Sequence, residues 1–146
     1  MPVLFLIIAA LGAAFALPIQ ADERRAKVNY MLHCQGCHTP DGSGLSERGV
    51  PSLKNFMGKF LKVEGGREFL IQVPGAAQST LNSEQLAEMT NWMLTSFDPQ
   101  SVQDGFQRYS AQEVQRLRQY KLVKVTETRA NLLNHINNKN RLQEHQ

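Results

Sequence analysis

One run of five residues, Cys34-Gln35-Gly36-Cys37-His38, restricts this chain more than any other stretch. Two thiols separated by two residues fit one helical turn, and an imidazole follows at once. This is the attachment pattern of a c-type haem. Each sulfur adds to one vinyl group of the porphyrin, and the histidine is carried under the iron as its proximal ligand. Three other uses compete with it. A structural zinc site needs four ligands, but these are the only two cysteines, and no second Cys/His pair stands at finger spacing. A thioredoxin-like redox pair belongs in a βαβ setting, which the sequence does not offer. A single short disulfide is the third. The adjacent histidine and the export segment described next favour haem. The expectation is one haem c per chain, covalent on Cys34 and Cys37, with His38 on the iron.

The chain has 146 residues, room for one modest domain with additions. Residues 3–17 form an almost unbroken apolar run that ends in Ala14-Phe15-Ala16, an A-x-A cleavage pattern. That reads as a secretory signal peptide. No Lys or Arg precedes the run, so an uncleaved N-terminal membrane anchor over residues 1–20 is the alternative; residues 2–19 are just long enough to cross a bilayer. Either way the remainder is exported, which points to the periplasm. The expected organisation is a leader or anchor over 1–20, a haem domain over 21–98, and a helical extension over 99–146 with a mobile end.

Net charge is +3, and it is unevenly placed. Residues 21–97 carry eight acids and eight bases, whereas residues 98–146 carry five acids and eight bases. The basic character belongs to the extension. No basic-aromatic stripe is present, so nucleic acid is excluded as a partner.

The region before the haem motif reads as a helix over residues 22–33, with Asp22 and Glu23 suited to its N-terminus. Ala26, Tyr30 and Cys34 share one face of it. Residues 39–44 read as a turn-forming loop. A short helix is expected over about residues 52–61, with Phe56 and Phe60 as i, i+4 neighbours, and another over 67–73, stopped by Pro74-Gly75. Asn82 and Gln85 form a capping box, and the helix they open presents Leu86, Met89, Met93 and Phe97 to a core beside Trp92. In the extension, Ser110 and Glu113 form a second capping box ahead of Val114 and Leu117. A last helix is expected to use Ala130, Leu132, Leu133 and Ile136. No strand pattern stands out. A haem domain this small lacks apolar side chains for a large core, and a buried flat cofactor would replace them.

These residues resemble the class I monohaem cytochromes c. Tyr30 takes the aromatic position four residues before the first cysteine, and Ala26 the small-residue position where first and last helices cross. Residues 37–44 look like the family's CH-x-x-D-G-x-G segment, and residues 86–97 with Trp92 look like its C-terminal helix. The resemblance covers about half the chain. It implies an all-α, class I cytochrome c-like fold around one covalent haem, and single-electron transfer. It also implies that the carbonyl of Pro51 accepts the Nδ1–H of His38. Residues 60–75 are similar to small exported cytochromes associated with bacterial dehydrogenases. There, Gly65 and Gly66 would allow close backbone approach to haem and Arg67 could meet a propionate.

One feature departs from the family. Its sixth iron ligand is usually a methionine just before the C-terminal helix, but residues 63–82 contain no Met or His. Met57 is the first substitute. Met89 and Met93 suit core packing better. His33 adjoins Cys34, and His135 and His145 are far along the chain. An open iron position is the other expectation. Two further questions bear on partners. The extension is either a strap packed on the haem domain or a basic docking element for an acidic redox partner. The leading function is an exported electron carrier, not an enzyme, serving a periplasmic dehydrogenase or a respiratory complex. It would touch a membrane only if residues 1–20 are retained. The alternatives are a small-ligand haem protein with an open iron, or a fixed haem subunit of an oxidoreductase.

Overall fold

The computed structural model describes residues 17–103 and 105–144. Most of the apolar leader therefore lies outside the described residues. The seven α-helices among those residues are α1 (Leu17–His33), α2 (Gln35–His38), α3 (Gly66–Gln72), α4 (Pro74–Ala77), α5 (Ser83–Phe97), α6 (Ala111–Leu117) and α7 (Val125–Glu144). Short 3₁₀ turns fall at Ser46–Arg48, Met57–Lys62 and Pro99–Val102. No strand occurs among the described residues; Leu45 and Val50 make one isolated bridge. The all-α expectation holds.

The frame is α1 packed on α5, with α6 on α5's other flank. Tyr30 joins the first pair: its ring lies 5.0 Å from Phe97 and 5.5 Å from Trp92, both on α5. Arg25 and Glu88 clamp the same helices at the surface, with Nε 2.9 Å from the carboxylate. The start of α5 is as expected, because Asn82 accepts from the Gln85 N–H and Gln85 reaches back to the Asn82 N–H. The start of α1 is not. It is already helical at Leu17, the first described residue, so Asp22 and Glu23 lie within the helix rather than at its N-terminus.

The helix expected over residues 52–61 is shorter and tighter, a 3₁₀ turn over Met57–Lys62. Asn55 explains this: it sits at φ +53°, where a helix cannot run through, and its N–H is drawn to the Phe97 carbonyl at 2.8 Å. Phe56 and Phe60 still meet edge to face at 5.7 Å. Gly66 approaches protein backbone rather than leaving space for a cofactor. An added Cβ there would fall 1.9 Å from the Phe60 carbonyl oxygen.

The extension is built into the same core. Tyr109, Val114 and Leu117 join the cluster that holds Tyr30, Met57, Ile71, Leu86, Met89, Met93 and Leu94, and Cys34 packs against it. Asn91 on α5 exchanges two hydrogen bonds with the backbone of Tyr109, at 2.8 and 3.0 Å. Arg118 donates to the carbonyls of Ala77, Ser79 and Leu81, tying the α4–α5 loop to the end of α6. Leu132 and Ile136 of α7 are buried against Phe60 and Phe69 in a second cluster. The helix runs on to Glu144 through the polar end for which the sequence offered no packing. Ala130, expected on its buried face, is exposed.

Candidate haem site

The five-residue motif forms one continuous helical turn. Cys34 N–H donates to Tyr30 at 2.9 Å, which carries the α1 spiral into the motif. His38 N–H donates to the Cys34 carbonyl at 2.9 Å, and Cys37 N–H to the same oxygen at 3.2 Å. The turn therefore holds both thiols and the imidazole together. Cys34 is half-buried and Cys37 exposed. The Sγ of Cys34 lies 3.8 Å from the Sδ of Met89.

Two of the other readings of the motif can be tested here. Burial, and then the neighbouring Cys37, push the Cys34 thiol up to about 11. A redox pair of the thioredoxin kind needs the opposite, a thiolate favoured near neutrality. A zinc site needs further ligands, and no group of three or more His, Cys, Asp or Glu side chains converges among the described residues.

The histidine environment fits a ligand role. His38 is half-buried, and its Nδ1 is fully buried without a formed hydrogen bond. Burial lowers the pKa of the ring, which keeps it neutral and able to bind metal. The Pro51 backbone acts the other way, favouring the protonated ring. The Pro51 backbone thus lies close enough to influence the ring, while Nδ1 itself has no formed hydrogen bond. A neutral imidazole with its Nδ1–H turned to a carbonyl is oriented to offer the other nitrogen to iron.

Glycines set the position of that carbonyl. Gly44 sits at φ +73°, and an added Cβ would lie 2.6 Å from the Pro51 and Val50 carbonyl oxygens. Gly42, at φ +76°, faces the Phe97 ring, which a Cβ would meet at 2.9 Å. Asp41 ties the loop between them. It accepts from Thr39 Oγ1 at 2.9 Å and pairs with Lys54 at 3.0 Å. The Lys54 contact, followed by Ser43 and Thr39, holds its carboxyl well below the usual carboxylate range.

The other expected site residues divide. Met57 is buried in the cluster that Cys34 borders, as are Met89 and Met93. Arg67 is committed elsewhere. Its guanidinium makes two bonds to Glu113, at 2.6 and 2.8 Å, and a third to the Gln107 carbonyl at 2.7 Å, and it stacks on the Tyr109 ring at 4.0 Å. In place of a propionate, it meets the extension. Glu113 in turn leaves its capping box half made: Ser110 accepts from the Glu113 N–H, while the carboxylate goes to Arg67. Three contacts had no sequence signal, namely Tyr30 with Thr39, Met89 with Cys34, and Arg118 with the α4–α5 loop. The CH-x-x-D-G-x-G spacing did mark Gly44.

A helical fold that carries two thiols and a half-buried imidazole on one turn, with a proline backbone near the ring, has the donor set a covalent haem needs. Comparison with known proteins adds the family. A Cytochrome c-552 of Thermus thermophilus is 30% identical over 136 aligned residues, covering 81% of this chain and 85% of the relative. A second Cytochrome c-552 from the same species is 30% identical over 107 residues, covering 61% and 81%. The chain belongs to the c-type cytochrome family, whose work is electron transfer. Residues 1–98 are only about two thirds of the chain, so an alignment covering 81% reaches into the extension. Similarity to the family is therefore not confined to the haem domain. No family model and no solved structure matches.

Proposed function

We propose that this chain is an exported monohaem carrier that takes single electrons from a dehydrogenase or another redox donor and passes them to a respiratory acceptor. The observation that carries it is the motif turn itself, with His38 Nδ1 buried and unbonded and the Pro51 backbone near the ring. The residues fit a haem on three counts. Cys34 and Cys37 stand on one turn, the ring of His38 is held neutral, and Cys34 borders an apolar cluster rich in sulfur. When bound, the haem supplies the one-electron couple. The protein's part is to fix the ring of His38, to exclude water with the cluster around Cys34, and to set the potential by ligation and burial. Export to the periplasm is supported by the apolar run over residues 3–17 and its A-x-A end. Among the described residues no helix is long and apolar enough to cross a membrane.

In this reading Met57 would be the first candidate for a sulfur donor to the iron. It is buried in the same cluster as Met89, whose sulfur is already packed on that of Cys34. A second reading, an iron open to small ligands, is favoured by the lack of any Met or His in residues 63–82. The first test is retention. Acid-acetone extraction of the denatured protein should leave haem on the chain, and haem in the organic phase would end the proposal. The second separates the two readings. Wild type should be low-spin with a weak far-red sulfur–iron band that Met57→Ala abolishes. A wild type that is high-spin and binds carbon monoxide readily favours the open iron.

A further inference from the structure

Thr39, the residue directly after His38, holds a backbone conformation that side chains avoid. It lies at φ +64° and ψ 159°, a region used almost solely by glycine. Such a conformation persists only where surrounding contacts over-determine it, and here they do. The Thr39 N–H donates to Gln35 at 2.9 Å, and its carbonyl accepts from Gly42 N–H at 3.2 Å. The same carbonyl accepts the Tyr30 hydroxyl at 2.6 Å. Burial raises the Tyr30 hydroxyl to about 12, so it stays protonated and able to donate. The Thr39 side chain is equally engaged. Its Oγ1 carries one proton, which the His38 carbonyl at 2.5 Å and Asp41 at 2.9 Å are both placed to accept; it also meets Ser43 Oγ at 3.0 Å and accepts from the Gly44 N–H at 3.3 Å.

The last of these bonds gives the knot a direction. Gly44 is the residue against which the Val50 and Pro51 carbonyls rest. Gly44 N–H also donates to the His38 carbonyl at 3.1 Å. Thr39 therefore lies between the two sides of the His38–Pro51 contact. On one side is the helical turn that bears the imidazole; on the other is the loop that bears the carbonyl. A glycine here would adopt the turn freely but could not bond Gly44 or Asp41. Threonine accepts the conformational cost and supplies the hydroxyl.

We propose that Thr39, locked by the Tyr30 hydroxyl, is a positioning residue that sets how closely the Pro51 carbonyl approaches Nδ1 of His38, and so tunes how strongly His38 donates to the iron. This rests on the covalent-haem reading above. A closer carbonyl makes the imidazole a stronger donor, which favours the ferric state. Loosening the knot should therefore raise the reduction potential.

The experiment compares Thr39→Val, Thr39→Ser and Tyr30→Phe in the haem-bearing protein. Two quantities are read: the reduction potential, and the hydrogen–deuterium exchange rate of the His38 ring N–H by NMR. Loss of one net hydrogen bond corresponds to about a fivefold change in an equilibrium. For a one-electron couple this is ~40 mV, at 59 mV per tenfold. Thr39→Val and Tyr30→Phe should each shift the potential upward by up to that much, since only the part of the bond energy that differs between ferric and ferrous states counts, and speed ring N–H exchange. Thr39→Ser, which keeps the hydroxyl, should match wild type. If Thr39→Val and Tyr30→Phe lower the melting temperature while leaving potential and exchange unchanged, the knot is structural only and the inference is wrong. Tyr30→Phe preserves the ring packing and keeps the test alive should Thr39→Val fail to fold. A wild type without covalent haem overturns the functional reading itself, and a haem stain of the denatured protein shows that before any variant is compared.

Discussion

Gly44 and Gly49 share a backbone conformation but not a neighbourhood, and this allows a quantitative test of the wall behind His38. Their φ angles are +73° and +74°. An alanine Cβ at Gly49 meets nothing within 4 Å, whereas at Gly44 it lands 2.6 Å from two carbonyl oxygens and 2.8 Å from the Pro51 carbonyl carbon. A side chain in the left-handed region costs about 1–2 kcal/mol. Gly49→Ala should lose about that and no more. Gly44→Ala bears the same cost and must also move backbone, as overpacking does, for a further ~1–3 kcal/mol. At about 3 °C per kcal/mol for a chain of this size, the melting midpoints should fall by roughly 4 °C and 10 °C. Thermal unfolding of the haem-bearing protein measures both. The His38 ring N–H resonance should move only in Gly44→Ala, because only there is the Pro51 carbonyl displaced. Equal losses in the two variants, or an unmoved resonance, would refute the claim that Gly44 seats this carbonyl.

Three further outcomes follow from the contacts of the extension and the cap of α5. The Arg67 bond holds the Glu113 carboxyl below its ordinary 4.5 against the effect of burial. A depressed folded pKa gives stability that is present above 4.5 and is lost as pH falls below it. Acid melting curves should therefore show a steeper loss below pH 4.5 in wild type than in Glu113→Gln. Arg118→Ala removes the donors to three carbonyls of the α4–α5 loop and should cost about 2–3 kcal/mol in denaturant titration, with faster proteolysis in residues 77–82. Asn82→Ala removes one side of the α5 capping box and should cost about 1 kcal/mol, with Asn82→Ser restoring most of it.

The parts of the structure that were legible in sequence rest on local chemistry. The motif turn, the Asn82 cap and the apolar face of α5 each follow from spacing within a few residues. What escaped depends on residues brought together from afar. Arg67 looked free for a propionate because its acceptors, Glu113 and Gln107, lie in the extension. The helix expected over residues 52–61 failed at Asn55, whose N–H is claimed by Phe97 on another helix. Thr39 gave no signal, since a threonine after a histidine has nothing in its neighbours to mark a positive φ. The extension seemed separable because its apolar positions are sparse. Yet Tyr109, Val114 and Leu117 were enough, each finding a place in a cluster already begun.

That cluster carries a consequence for the order in which the molecule is made. Synthesis runs from the N-terminus, so Cys34 and Cys37 are delivered early and Val114 and Leu117 late. The residues that complete the shared cluster are therefore the last to arrive. Until they do, the cluster that Cys34 borders lacks Tyr109, Val114 and Leu117, while Met89 of α5 is already in place on the Cys34 sulfur. A chain cut short after α5 would keep Cys34, Cys37 and His38 and lose three buried members of the core cluster, Tyr109, Val114 and Leu117. The extension thus finishes the core last in the order of synthesis, as well as packing on it in space.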